Sequence, residues 1–208
     1  MQLGRNLTRR RLASATLLTT LALVAAACSS GSTGGSPADS PSSTTSSGAA
    51  PNCPLTGLPP TNGAPVHRVA LAVKVDNIGP ARPQAGINNA DVVVEELVEG
   101  GLTRLMAIYQ CQKAPSVGPI RSARISDADI LALLHGSVLG YSGANPKDMP
   151  PIRAHSGSAL ISYDASPQYF HLDPSRPAPH DVFTSTTTLL KAGLSARPNL
   201  KAPPALFT

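Results

Sequence analysis

The chain has 208 residues, with 17 Lys and Arg against 12 Asp and Glu, three cysteines, four tyrosines, three phenylalanines and no tryptophan. Four of the arginines and none of the acids fall within residues 1–27, so the remainder carries thirteen basic against twelve acidic side chains and is close to +1. A nearly neutral, aromatic-poor domain lacks both the basic footprint and the stacking platforms of a nucleic-acid binder, and that class of partner is excluded.

Residues 1–27 read as a signal peptide. Arg5, Arg9, Arg10 and Arg11 form a basic start, and an apolar run follows that turns to small residues before Cys28. That run is shorter than the ~20 residues a membrane span needs. The string Leu23-Val24-Ala25-Ala26-Ala27-Cys28 resembles a bacterial lipobox, in which the cysteine is lipidated after cleavage, with Ala25 standing where leucine is more usual. The competing reading is an ordinary secretory signal followed by a chance cysteine. Thr8-Arg9-Arg10-Arg11-Leu12 also resembles a twin-arginine signal, which leaves the export route open between Sec and twin-arginine.

Residues 28–52 are a lipidated cysteine and a tether of Ser, Thr, Gly, Ala and Pro that cannot bury apolar surface and is expected to be disordered. Residues 53–208 are long enough for one domain with a real core. Cys53 and Cys111 are left once Cys28 is assigned to lipid, and outside the cytoplasm two thiols suit one disulfide. Two separately buried cysteines are the alternative.

Val69, Leu71, Val73 and Val75 alternate with Arg68, Ala70, Ala72 and Lys74, which predicts a strand buried on one face. Asp76-Asn77 closes it as turn chemistry or as the start of a site, and residues 78–89, with Arg82-Pro83, form a loop. Residues 92–99 and 102–109 alternate about Gly100-Gly101, predicting a hairpin well inside the sheet. A two-residue turn sets Arg104 opposite Leu97; a three-residue loop sets it opposite Glu96. Glu95 and Glu99 share a strand face but lie ~13 Å apart, too far for a glycosidase pair.

Ser126 and Asp129 predict a helix start, with Ile130, Leu131, Leu133 and Leu134 as its buried stripe and Gly136 as its stop. Residues 138–141 and 159–163 are short strands, 145–151 a loop, and 166–181 a polar, Pro-rich loop. Thr184 or Ser185 caps a last helix running through Lys191 and closed by Gly193. The fold class is α/β (α+β): a layered mixed sheet with a central hairpin and a few short helices.

Several strings occur together in this order: PLTGLP (54–59), VDN…ARPQ (75–84), ADVVVEELVEGGLTRLMAIYQ (90–110), GPIRSAR (118–124) and RPAPHDVF (176–183). The set resembles the YerB-like lipoproteins, a bacterial family named for a domain of unknown function. The resemblance covers roughly residue 54 to the C-terminus. It implies a lipid-anchored envelope protein with a layered α/β domain, and it brings no catalytic residues. Members of that family look longer, so the domain, which stops at APPALFT, is expected to be incomplete.

Chemistry concentrates in the arginines. Arg82, Arg104, Arg121 and Arg124 flank the hairpin, and guanidinium forks recognise phosphate or carboxylate bidentately. With Asp76, Asn77 and Glu95 and the helix start at Ser126 they are read as an anion pocket, or alternatively as ion pairs with Asp76, Glu95, Glu96 and Asp127. The five histidines show no metal-ligand spacing, and no P-loop, dinucleotide fingerprint or nucleophile elbow occurs, so no metal or cofactor is predicted. The leading expectation is a lipid-anchored protein on the outer face of the cytoplasmic membrane that binds an anionic envelope ligand, such as a phosphate-bearing polymer or peptidoglycan fragment. The alternatives are an envelope enzyme using Asp76, Glu95 or Glu99 as base on a phosphate- or glycan-linked substrate, and a scaffold docking another envelope protein.

Overall fold

The computed structural model describes residues 51–61, 63–155 and 157–207. The expected signal peptide, Cys28 and all of the tether before residue 51 lie outside the described residues. Among the described residues no helix is long and apolar enough to cross a membrane.

Five strands form one mixed sheet: β1 (Leu71–Asp76), β2 (Val92–Leu97), β3 (Thr103–Tyr109), β4 (Val138–Tyr141) and β5 (Ala159–Ser162), in the order β2-β3-β1-β4-β5. β2, β3 and β1 pair antiparallel; β1, β4 and β5 pair parallel. The hairpin therefore forms one edge of the sheet and is not central as its alternation suggested, because the parallel strands β4 and β5 add only on the far side of β1, which is the centre. Apolar residues at alternate positions bury both faces of β1, not one face as its period-2 pattern suggested: all six residues are buried, Lys74 among them.

One face carries Leu71, Val73, Val75, Leu105, Ala107 and Tyr109 beneath the last helix, α3 (Thr186–Ala196). The other carries Ala70, Ala72, Met106, Ile108 and Leu139 beneath α1 (Asp127–Leu133) and α2 (Met149–His155), giving three layers. Leu131 and Leu134 of the predicted stripe are buried, whereas Leu133 is exposed. α2 occupies part of a stretch that reads as loop. Its Pro150 and Pro151 sit in the first turn, where a missing N–H costs nothing.

Ser185 caps α3, its hydroxyl accepting from the Thr188 N–H, as one of the two expected caps. Gly193 does not end this helix. A Cβ there would meet Val138 at 2.2 Å, and one at Gly140 would meet Leu189 at 2.3 Å, so both glycines let α3 lie directly on β4. At the hairpin, Val98 N–H bonds Leu102 across Glu99-Gly100-Gly101, and both glycines have positive φ (73° and 72°). This is the three-residue loop, and it sets Glu96 opposite Arg104. Cys53 and Cys111 are disulfide-bonded, with Cα atoms 6.1 Å apart. A short strand inside the Pro-rich stretch, β6 (His171–Leu172), pairs with another just after it, β7 (Val182–Phe183).

Candidate anion site at the end of the central strand

The sheet's register places Asp76, Arg104 and Glu96 side by side on the α1 face at the C-terminal end of β1. Residues 118–124 cross this end. Pro119 accepts from the Asp76 N–H, the Arg121 N–H donates to Lys74 O, and the Ile120 N–H donates to Val182 O. That stitching brings Arg121 and the 176–183 stretch to one carboxylate. Asp76 is 1% exposed; its Oδ2 lies 3.1 Å from Arg121 Nε and 2.9 Å from His180 Nδ1. A carboxylate oxygen accepts, so the contact is satisfied by the His180 tautomer that carries its proton on Nδ1. Asp76 is thus a buried hub as well as a turn residue, its Oδ1 accepting the Ile78 N–H at 3.4 Å.

The predicted arginines separate into two groups. Arg82 is exposed and donates to Asn77 O and Oδ1 at 3.3 and 3.2 Å. Asn77 donates to Glu95 at 2.9 Å and to Thr103 at 2.8 Å, so Glu95 is held by amide and hydroxyl groups on the far side of the sheet edge. Arg82, Asn77 and Glu95 hold the loop against the hairpin. Arg176 assists, donating to Ala81 O and Pro83 O and stacking 5.3 Å over the Phe183 ring.

Arg104, Arg121 and Arg124 converge. Arg124 Nε reaches both oxygens of Glu99 at 2.8 and 2.9 Å, and this bond, more than any other influence, holds the Glu99 carboxyl below its usual range. Arg121 meets Asp76 through Nε at a distance without hydrogen-bond geometry, and its two terminal nitrogens make no hydrogen bond among the described residues. Arg104 is 8% exposed and donates once, to Ser122 O at 2.7 Å. Burial lowers its pKa from the ordinary arginine value, and the like charges of Arg124 and Arg121 lower it further.

Glu96 faces Arg104 in register yet pairs elsewhere. Lys74 Nζ lies 2.5 Å from Glu96 Oε1 and 2.6 Å from Asp127 Oδ1, and all three groups are buried. Burial is the main reason the Asp127 carboxyl is pushed up to about 7, with Glu96 adding to it and Lys74 opposing. The helix start does not serve as an anion site. Ser126 Oγ donates to Glu96 Oε2 at 2.7 Å, Asp127 Oδ2 accepts the Arg124 N–H at 2.9 Å, and the helix is seven residues long.

Sequence reasoning missed Lys74 as a member of this assembly, expected Asp127 to pair with the arginines and not with Lys74, and did not join His180 to Asp76. Lys74 carried a signal: it continues the face of Ala70 and Ala72, small residues that leave room for a covering layer. His180 lies 104 positions from Asp76, and no local pattern joins them. Among the described residues no group of three His, Cys, Asp or Glu could hold a metal ion.

Residues 55–198 match the N-terminal domain of DUF3048, a protein family of unknown function. The chain is 36% identical over 143 residues to "Putative lipoprotein YerB" of Bacillus subtilis (strain 168), a span of 67% of this chain and 41% of that relative. It is also similar to the crystal structure of the YerB protein from Bacillus subtilis, with a TM-score of 0.63 and 32% identity over 74% of this chain and 53% of the other. The chain therefore spans about half or less of the length of these relatives.

Proposed function

The chain belongs to the DUF3048 family, and from that premise we propose a lipid-anchored envelope protein that binds an anionic ligand through Arg104, Arg121 and Arg124. The lipoprotein name of its Bacillus relative supports the location, on the outer face of the cytoplasmic membrane with Cys28 as the lipidated residue. In this reading residues 1–27 are a signal peptide, residues 28–52 a lipidated cysteine and tether, and the folded domain starts at 53.

One observation carries the ligand class. Arg104 is buried with no carboxylate in ion-pair range among the described residues, because its register partner Glu96 is taken by Lys74. A buried guanidinium beside two others, with Glu99 and Asp76 acting on it only from beyond ion-pair range, is a positive site short of direct partners, and a phosphate or carboxylate would supply one with bidentate geometry. Phosphate-bearing polymers and peptidoglycan fragments are the envelope molecules with that chemistry. The test is calorimetric titration of the full chain, carrying Cys28→Ser, with inorganic phosphate and pyrophosphate. Binding weakened at least tenfold in Arg121→Gln and Arg104→Gln is expected; equal binding in both variants rejects the site.

The Asp76–His180 contact at 2.9 Å favours a second reading, in which the site also transfers or hydrolyses a phosphate-linked substrate. The carboxylate then orients an imidazole base and is not itself the base. Turnover of bis(p-nitrophenyl) phosphate that disappears in His180→Gln is the outcome that separates an enzyme from a binding protein.

A further inference from the structure

We propose that a second site, on the opposite face of the sheet, binds an amphiphile with one acyl chain and an anionic, phosphate-bearing head. A cleft of about 490 Å³ opens between α3 and the N-terminal end of β1. That is within the range of pockets that enclose small molecules. Its floor is apolar, made by Leu71, Tyr109, Leu190 and Leu194. The charged side chains on its wall are Arg68, Lys113 and Lys191, all cations.

This charge pattern follows from how each wall is held. Tyr109 is buried, and its hydroxyl donates to Gly86 O at 2.9 Å, which fixes the ring as floor. Arg68 is half-buried and donates to Gln112 O. The nearest acid acting on Arg68, Asp91, has Oδ2 committed to the N–H groups of Gln110 and Gln112 and does not line the cleft. Lys113 and Lys191 are exposed and make no ion pair among the described residues. An apolar trough ringed by cations is complementary to a chain with an anionic head, and poorly matched to a neutral or cationic amphiphile.

The cleft is independent of the arginine site. It lies at the Leu71 end of β1, roughly 16 Å along the strand from Asp76, and on the α3 face. It also adjoins the Cys53–Cys111 bridge, through Gln112 and Lys113, where the chain preceding the domain joins the fold. A lipid anchor on that chain would keep this end in reach of membrane-derived amphiphiles.

The experiment uses the full chain with Cys28→Ser and a photoreactive decyl phosphate below its micelle concentration, with labelled peptides mapped by mass spectrometry. Labelling is expected in the peptides of α3 and of residues 109–113. Unlabelled decyl phosphate should compete at least tenfold better than decyl glucoside, and inorganic phosphate should not compete. Lys191→Glu and Lys113→Glu, both surface changes, should each weaken labelling at least threefold and together at least tenfold, while Arg121→Ala leaves it unchanged. Equal competition by decyl glucoside, labelling elsewhere, competition by phosphate alone or loss of labelling in Arg121→Ala each overturns the proposal.

Discussion

Arg104 stands directly opposite Glu96 across the hairpin, and the two do not pair, because Glu96 is drawn to Lys74 on the neighbouring side of the same face. One lysine thus holds two carboxylates while one arginine holds none. The distribution of charge at this end of the sheet follows from that choice.

Asp127 gives the domain an inverted pH dependence. Its carboxyl is pushed up to about 7 in the folded chain, mainly by burial, against about 4 when unfolded. Between those values the folded state keeps a proton that the unfolded state has released. This contribution is complete below about pH 4 and is lost as the pH rises through 7, at up to roughly 1.4 kcal/mol per pH unit. Denaturant unfolding should show greater stability at pH 5.5 than at pH 8, and Asp127→Asn should remove most of that difference. A wild-type midpoint that rises with pH across this window would count against it.

Arg121 and Arg124 should respond differently to truncation. Arg124 is paired with an exposed Glu99, and Arg124→Ala is expected to cost less than about 1 kcal/mol. Arg121 faces the buried Asp76, which keeps His180 and the Ile78 N–H once the guanidinium is gone, and Arg121→Ala should cost about 2 kcal/mol. Thermal melting of both variants measures this. Losses of several kcal/mol in both would make them structural ion pairs and end their assignment to a ligand.

The Cys53–Cys111 bridge closes a loop of sequence separation 58. Removing that constraint with Cys53→Ser/Cys111→Ser should cost ~4 kcal/mol. Neither cysteine should alkylate in denatured, unreduced protein, and modification of both thiols there would refute the bond.

For the anchor, Cys28→Ala should abolish incorporation of labelled fatty acid and leave an unprocessed precursor or a shed form. Incorporation that persists in this variant would locate the lipid elsewhere or remove it from the account.

The elements with strong local patterns were legible from the sequence. Period-2 alternation located β1, β2 and β3, and paired Gly100-Gly101 located the turn, although the choice between two- and three-residue loops was set by tertiary register. The centre of the sheet was not legible, because Ala70, Ala72 and Lys74 read as an outer face until two helices are known to cover them. α2 was hidden by Pro150-Pro151, which signal a loop anywhere except a first turn. Gly193 was read as a stop because packing against Val138 leaves no local trace. At the site, the arginines were visible as residue types, but their division between Asp76, Glu99 and a lone buried position depends on partners far along the chain.

The hub at Asp76 has a consequence for the timing of assembly. Its partners are donated from residues 121 and 180, so two long loops must close before the carboxylate is satisfied. The hairpin can form from residues 92–109 alone, but a nascent or clipped chain ending before His180 possesses three arginines and no finished receptor. The proposed anion capture at this end would then be a property only of chains that have completed their fold, and its occupancy would read out maturation as well as ligand supply.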